Sequence, residues 1–295
     1  MLRTKVIFNP LAHGGEAAGH LEQVKAQLKA AGINFDLSLT GKEGDAGRLA
    51  REAVERGFAT VVACGGDGVA GETAGALVGS GAVFGMIPLG SGDDLAKSLG
   101  ASREVARAVE AIRRRRTIRM DAGVVNGRHY FNSLGLGLDG EVIVEKQKIK
   151  GLRDLKLYVL ATVRALMRYQ GQRFSLDFGS GKLWVEALLV EVMNGRSVGG
   201  GYLLTPQARI DDGWLDICII HRLTWLEFFR HIPKSFTGQH THLKQVVMGR
   251  ARQVVVESDQ PIAVQVDGEL LPTREKRYQI SIIPGAVEAI TGDGF

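Results

Sequence analysis

A chain of 295 residues, 45% apolar and 23% charged, has the composition of an ordinary globular protein and is too long for one core, so two domains are expected. The net charge of +5 suits an anionic nucleotide or membrane surface, while the lack of zinc-finger spacing, RNA-recognition aromatics or a long basic arm argues against nucleic acid. There is no run of 18 apolar residues and no signal-peptide-like start, and Cys64 and Cys218 lie in apolar runs as free thiols; a cytoplasmic protein, transiently membrane-associated from the surface, is expected.

Lys5 to Phe8 reads as a short buried strand followed by a loop from Asn9-Pro10 to Gly14-Gly15. Leu21, Val24 and Leu28 mark a helix closed by Gly32, Asn34 to Thr40 a second strand, and Leu49, Ala53 and Val54 a second helix. Thr60 to Cys64 is then a fully buried strand that runs into Gly65-Gly66-Asp67-Gly68 and a helix from Val69 to Leu77. The glycines force a tight turn, and such a strand-to-helix turn offers free N–H groups and the positive end of a helix dipole to a phosphate. A plain turn with Asp67 as a helix cap is the alternative. If phosphate binds, a carboxylate beside it requires a cation between them, which points to Mg²⁺. Neither a P-loop nor a G-x-G-x-x-G fingerprint is present.

Val83 to Ile87 is a further strand, ending in Pro88-Leu89-Gly90-Ser91-Gly92-Asp93-Asp94 before another helix. Alternating strands and helices predict a parallel sheet, and ligands of such sheets bind outside the carboxyl ends of the strands, where Asn9, Thr40, Gly65 and Ser91 fall. A helix from Arg103 to about Ile112 runs into Arg113 to Arg116, read as a solvated helix end.

From Thr117 the pattern turns antiparallel, with an Asn126-Gly127 hairpin, and a domain boundary is placed at residue 121: residues 1–121 form the α/β domain and 122–295 a β-rich domain, with the last residues able to return to the first. Leu155, Tyr158, Val159, Thr162, Val163 and Leu166 mark an amphipathic helix. Hairpin-linked runs at Phe174–Phe178 and Leu183–Met193 follow, and β-rich runs from Leu215 to Ile283, interrupted by a helix around Trp225–Phe236, complete a sandwich or barrel.

Three stretches there resist a packing explanation. Asn194 leads to three consecutive glycines, 199–201, which need a reason such as a close approach of ligand or backbone. Asp211, Asp212 and Asp216 cluster around Gly213, which suits Mg²⁺ or Ca²⁺ or a solvated turn. Asp267-Gly268-Glu269 ends an apolar strand, as a hairpin turn or as acids able to take a proton from an attacking hydroxyl.

In this order, Asn9-Pro10, Gly65-Gly66-Asp67-Gly68 with Glu72, Pro88-x-Gly90-Ser91-Gly92-x-Asp94, Asp121 with Phe131-Asn132, Asn194 with its glycines, Pro206-x-Ala208 with Asp211-Asp212-Gly213-x-Leu215-Asp216, and Asp267-Gly268-Glu269 resemble the diacylglycerol kinase catalytic domain family, in particular bacterial soluble lipid kinases related to sphingosine kinases. The resemblance spans more than 250 residues. It implies an N-terminal α/β domain with a parallel sheet, like that of NAD kinases and phosphofructokinases, and a mostly antiparallel β-sandwich-like C-terminal domain. It implies that Asn9, Pro10, Thr40, Gly65, Gly66, Asp67, Gly68, Glu72, Ser91 and Asp94 serve ATP, that Asp212 with the main-chain carbonyls of Arg209 and Trp214 holds a Mg²⁺ in the second domain that is more structural than catalytic, and that Glu269 or Asp267 is the base. Two departures from the family pattern stand out: Val69 replaces a hydroxyl residue, and Asp93 adds a negative charge near the phosphates, so that nucleotide binding would weaken or the donor be unusual. The expected function is transfer of the γ-phosphoryl of Mg-ATP to the hydroxyl of a diacylglycerol-like lipid at a membrane surface. A sphingoid-base kinase, an NAD-kinase-like enzyme and a catalytically silent nucleotide- or lipid-binding regulator are the alternatives, and a homodimer is compatible with all of them.

Overall fold

Short apolar runs separated by amphipathic stretches fold here into parallel strands covered by helices, as shown by a computed structural model that describes residues 3–149, 151–152 and 154–295. The chain divides into two units: unit 1 comprises residues 1–122, 210–212 and 284–295, and unit 2 comprises residues 123–209 and 213–283.

Unit 1 runs β1 (Thr4–Phe8), α1 (Leu21–Ala30), β2 (Phe35–Leu39), α2 (Asp45–Glu55), β3 (Thr60–Gly65), α3 (Asp67–Leu77), β4 (Val83–Pro88), α4 (Asp94–Ser98) and α5 (Val105–Arg114). The strands lie in the order β4-β3-β1-β2, all parallel, with Thr4 opposite both Phe35 and Thr60, and Thr60 opposite Val83. Every residue of β1, β3 and β4 is buried, as expected for strands covered on both faces. Val6, Phe8, Leu28, Val62, Ile87 and Ile112 form their core.

The loop after β1 differs from expectation. It winds into a 3₁₀ segment, Ala12–His20, broken where His13, Gly14 and Gly15 all take positive φ. The arginine run is a helix end: Arg113 and Arg114 close α5 and pair with Glu110, and Arg115 at φ 53° stops the helix.

Strand β5 (Thr117–Val125) carries the chain into unit 2, which continues with β6 (Arg128–Tyr130), β7 (Leu134–Gly137), α6 (Leu138–Lys148), α7 (Asp154–Arg168), β8 (Gln172–Asp177), β9 (Lys182–Met193), β10 (Leu215–His221), α8 (Trp225–Ser235), β11 (Val246–Ala251), β12 (Gln253–Ile262), β13 (Val264–Val266), β14 (Glu269–Leu270) and β15 (Glu275–Ile290). Asn126 and Gly127 both take positive φ and close the β5–β6 hairpin, the requirement that selects this dipeptide. Long β9 pairs antiparallel with β7, β8 and β10, β13 extends the sheet beyond β7, and β12 extends it beyond β8. Tyr130, Phe174, Val190, Ile217, Val256 and Tyr278 lie in the resulting core.

Helix α6 has no counterpart in the sequence reading. Its apolar residues do not segregate to one stripe, and it contains Gly140, where a Cβ would fall 2.3 Å from the carbonyl oxygen of Ala263. Only glycine lets this helix lie against the strand, and that requirement is tertiary. Strand β15 also runs on past Ile283; from Pro284 it belongs to unit 1, where Glu288 and Ala289 pair in parallel with Val83 and Phe84. Among the described residues no helix is long and apolar enough to cross a membrane.

Candidate functional site

In unit 1 the expected nucleotide residues gather at the carboxyl ends of the parallel strands. Asn9 follows β1, donating its N–H to Cys64 O at 2.9 Å and accepting from Leu11 N through Oδ1, and Pro10 comes next. Thr40 follows β2, buried, with its N–H on Phe8 O at 2.9 Å. Gly65 ends β3, and a Cβ on it would lie 3.2 Å from the Asn9 Cβ. Gly66 is extended at the start of α3, and no side chain caps that helix. Gly68 is its second residue. An eleven-residue helix with uncapped N–H groups behind a glycine turn provides the donors an anionic phosphate needs.

Asp67 opens α3. Its Oδ1 accepts from Leu95 N at 3.0 Å, and burial, reinforced by the neighbouring charge of Asp94, raises its pKa to about 6. A carboxylate so desolvated and so placed gains from a cation nearby.

The second glycine turn, residues 90–94, packs directly on the first: a Cβ on Gly90 would lie 2.6 Å from the Gly66 Cα. Asp93, left-handed at φ 52° and 1% exposed, accepts from Gly90 N through Oδ1 and from Arg103 Nε through Oδ2, while Arg103 Nη2 donates to the carbonyls of Gly90 and Ser91. The charge expected to repel phosphate is thus paired with Arg103 and braces the turn. Val69 is likewise a core residue, 8% exposed and packed near Gly65. Ser91 is exposed, and Asp94 is buried and bonded to Lys97 at 2.9 Å. Glu72 has a structural occupation: its two oxygens accept from the N–H groups of Gly44, Ala46 and Gly47, capping α2.

In unit 2 the two candidate bases differ sharply. Asp267, at φ 48°, takes the backbone N–H of Phe131 on Oδ2 at 2.8 Å and those of Asn132 and Ser133 on Oδ1 at 2.9 and 2.8 Å. Burial raises its pKa, and the three donors oppose that rise. Glu269 is half-buried on β14 and bonded to Arg128 at 2.5 Å.

The asparagine motifs hold this arrangement together. Asn194 donates through Nδ2 to Phe131 O at 2.9 Å, and Asn132 through Nδ2 to Ser197 O at 2.8 Å, lacing the loop that clamps Asp267. Gly199 and Gly200 make a left-handed turn against Tyr158, whose ring a Cβ on Gly199 would meet at 3.0 Å, so backbone conformation and close packing account for the first two glycines of the run.

Of the expected metal residues, Arg209 is exposed and Asp212 and Trp214 are half-buried; the Trp214 ring lies 5.8 and 4.8 Å from the guanidinium carbons of Arg250 and Arg252. No three acids, histidines or cysteines converge on a metal position among the described residues. The expected set brings one carboxylate and two carbonyls, hard oxygen donors of the kind Mg²⁺ takes while keeping several waters.

Sequence reasoning missed a cavity of about 110 Å³ in unit 2, lined by Leu138 and Val142 of α6, Leu188 and Leu189 of β9, and Phe228 and Ile232 of α8. It also missed Asp139 and Glu191, two buried acids on the same wall. The one available signal was Glu191 standing alone in the apolar run Ala187 to Met193. His240, which also lines the cavity, is buried and held below its ordinary pKa by desolvation, with Nε2 3.2 Å from Leu204 O.

Residues 3–125 match the diacylglycerol kinase catalytic domain and residues 132–291 the YegS C-terminal NAD kinase beta sandwich-like domain. A protein of Pseudomonas aeruginosa named "Probable lipid kinase YegS-like" is 34% identical over 97% of this chain and 94% of its own. A protein of Bacillus subtilis named diacylglycerol kinase is 29% identical over 91% and 90%. A crystal structure titled as a diacylglycerol kinase from Bacillus anthracis superposes with a TM-score of 0.75 at 22% identity, covering 99% of this chain and 97% of that one, a likeness of fold. With both halves of the chain matched in order and one relative a third identical along nearly its whole length, this protein is a phosphotransferase with an alcohol acceptor and belongs to the lipid-kinase family that joins a diacylglycerol kinase catalytic domain to a YegS C-terminal domain.

Proposed function

We propose that the enzyme transfers the γ-phosphoryl of ATP, held by unit 1, to the hydroxyl of a diacylglycerol-like lipid whose chains enter the cavity of unit 2. The mainly apolar lining of that cavity, with a few polar side chains such as Asp139, Glu191 and His240, carries the reading: it suits acyl chains with a small polar head, whereas a soluble acceptor such as NAD would require polar partners along its whole length.

Each residue set has a distinct task. Backbone donors of the Gly65–Gly68 turn position the phosphates, and the brace from Arg103 through Asp93 holds the second turn against them. Asp67 would meet the Mg²⁺ that neutralises phosphate charge when bound, and Asp212 with the carbonyls of Arg209 and Trp214 would hold a second Mg²⁺ that is more structural than catalytic. Glu269 is the base. Asp267, with both oxygens engaged by three N–H groups, shapes the turn that presents Glu269. Lipid comes from the cytoplasmic face of a bilayer, met by the outer face of α8: Trp225, Leu226 and Phe229 are 43%, 80% and 50% exposed, Arg222 and Arg230 are exposed beside them, and Phe228 and Ile232 of the same helix line the cavity.

Transfer of radiolabelled phosphate from Mg-ATP in mixed micelles tests this, with diacylglycerol, sphingosine, ceramide and NAD as acceptors. Labelled lipid that disappears in Glu269→Gln is expected. Labelled NAD with unlabelled lipids would overturn the reading, as would full lipid labelling by Glu269→Gln.

A further inference from the structure

Two carboxylic acids in the cavity wall are buried without adequate partners. Glu191 is 0% and Asp139 is 7% exposed. Tyr158 Oη donates to Asp139 Oδ1 at 3.0 Å and the Gln265 side chain also supports the Asp139 carboxyl, but both oxygens of Glu191 receive no donor from the rest of the protein, apart from a proton the two acids can share. They converge over Gly135, where a Cβ would lie 2.4 Å from Asp139 Oδ2 and 2.6 Å from Glu191 Oε1; only glycine leaves them room. Burial raises both pKa values; the neighbouring Asp139 raises that of Glu191 further, while hydrogen bonds from Tyr158, Glu191 and Gln265 oppose the rise at Asp139. An arrangement this costly inside a packed sheet calls for a reason beyond packing, since apolar side chains of the same size would fill the space more stably.

Strand register shows where the pair stands. Glu191 of β9 lies opposite Gly135 of β7, and Gly135 lies opposite Gln265 of β13. Asp267 follows Gln265 by two residues, about 7 Å further along the chain if extended. The acids therefore share one wall with an apolar cavity and stand a short step from the turn that presents the base.

We propose that Asp139 and Glu191 form the seat for the hydrogen-bond-donating head of the lipid acceptor, a long-chain alcohol or amino alcohol, whose donors complete the unpartnered oxygens. The seat rests on the reading of the cavity as the acceptor pocket. It also sets specificity: a chain that ends without a donor leaves the oxygens unsatisfied and is rejected.

The experiment measures binding of a long-chain monoacylglycerol, a long-chain amino alcohol and the methyl ester of the same chain to the full-length enzyme by thermal shift in micelles, and KM for lipid and for ATP by phosphate transfer. Wild type is compared with Asp139→Asn, Glu191→Gln and Val142→Trp, the last filling the cavity without touching the acids. The two amide variants are expected to fold with unchanged or raised Tm, to bind the donor-bearing lipids about 10- to 100-fold more weakly, and to keep the KM for ATP. A greater loss for the amino alcohol identifies an ammonium head, because an amide leaves a hydroxyl one acceptor oxygen in place of two but offers a cation no counter-charge at all. Unchanged lipid binding in both amide variants while Val142→Trp abolishes it overturns the seat and keeps the pocket. Unchanged lipid binding in Val142→Trp as well overturns the pocket itself. A lowered Tm with unchanged lipid KM would make the pair structural and overturn the seat.

Discussion

Replacing Asp67 by asparagine should make the protein more stable and less active, with a stability gain that depends on pH. The amide oxygen can still accept from Leu95 N, the bond Asp67 makes at 3.0 Å, so the local geometry survives. What disappears is a carboxylate whose pKa is raised to about 6, first by burial and then by Asp94. Below about pH 4 the acid is protonated in the folded and the unfolded chain, and the substitution has no ionisation to remove. Between about pH 4 and 6 the unfolded chain ionises while the folded one holds its proton, so the wild type loses stability as pH rises. Above about pH 6 the loss is complete. A shift of about two units corresponds to about 3 kcal/mol, reduced to about 2 by partial exposure and by the favourable place of a carboxylate at a helix start. Urea denaturation of both proteins without nucleotide, at about pH 4 and about pH 7.5, is the assay. The variant should exceed the wild type by about 2 kcal/mol at the higher pH and match it at the lower, while phosphate transfer is lost. Equal offsets at both pH values, or a less stable variant at neutral pH, would refute the reasoning.

Glu269→Gln should lower kcat by about 10²- to 10⁴-fold with little change in either KM, measured in the same transfer assay. Asp267→Asn offers one acceptor oxygen where three N–H groups now find two, and turns an N–H₂ toward one of them; a loss of about 2–4 kcal/mol in urea titrations is expected. Arg103→Ala strips the partner from nearly fully buried Asp93 and two donors from the turn carbonyls, so KM for ATP should rise while KM for lipid stays, with about 1–2 kcal/mol of stability lost because Arg103 itself is solvent-exposed. Leu226→Glu with Phe229→Glu should weaken co-sedimentation with anionic vesicles by about tenfold or more and leave ATP binding unchanged, since both side chains face solvent.

Much of unit 1 was legible because its signals are local. Apolar runs of strand length, a helix start after Gly65-Gly66 and the order of alternation depend on neighbours in sequence, and parallel strands buried on both faces leave little freedom in how such runs assemble. The Asn126-Gly127 hairpin was legible for the same reason, as both residues must take positive φ. Glu72 and Asp93 were harder to read. Glu72 reads as part of a phosphate site, and no local signal shows that it also caps a helix that begins 27 residues before it, or that Asp93 answers an arginine ten residues later.

The sequence by itself determined the two classes of secondary structure, the glycine turns at strand ends and the family, because each is written in residue type and short spacing. Tertiary structure alone decided how each acid is partnered and buried. Asp267 is immobilised by donors from residues 131–133, and Asp139 and Glu191, 52 positions apart, meet over Gly135 only because β7 and β9 lie in register. Burial and partnership, which set the cost and the proton affinity of a carboxyl group, are properties of neighbours brought together by folding.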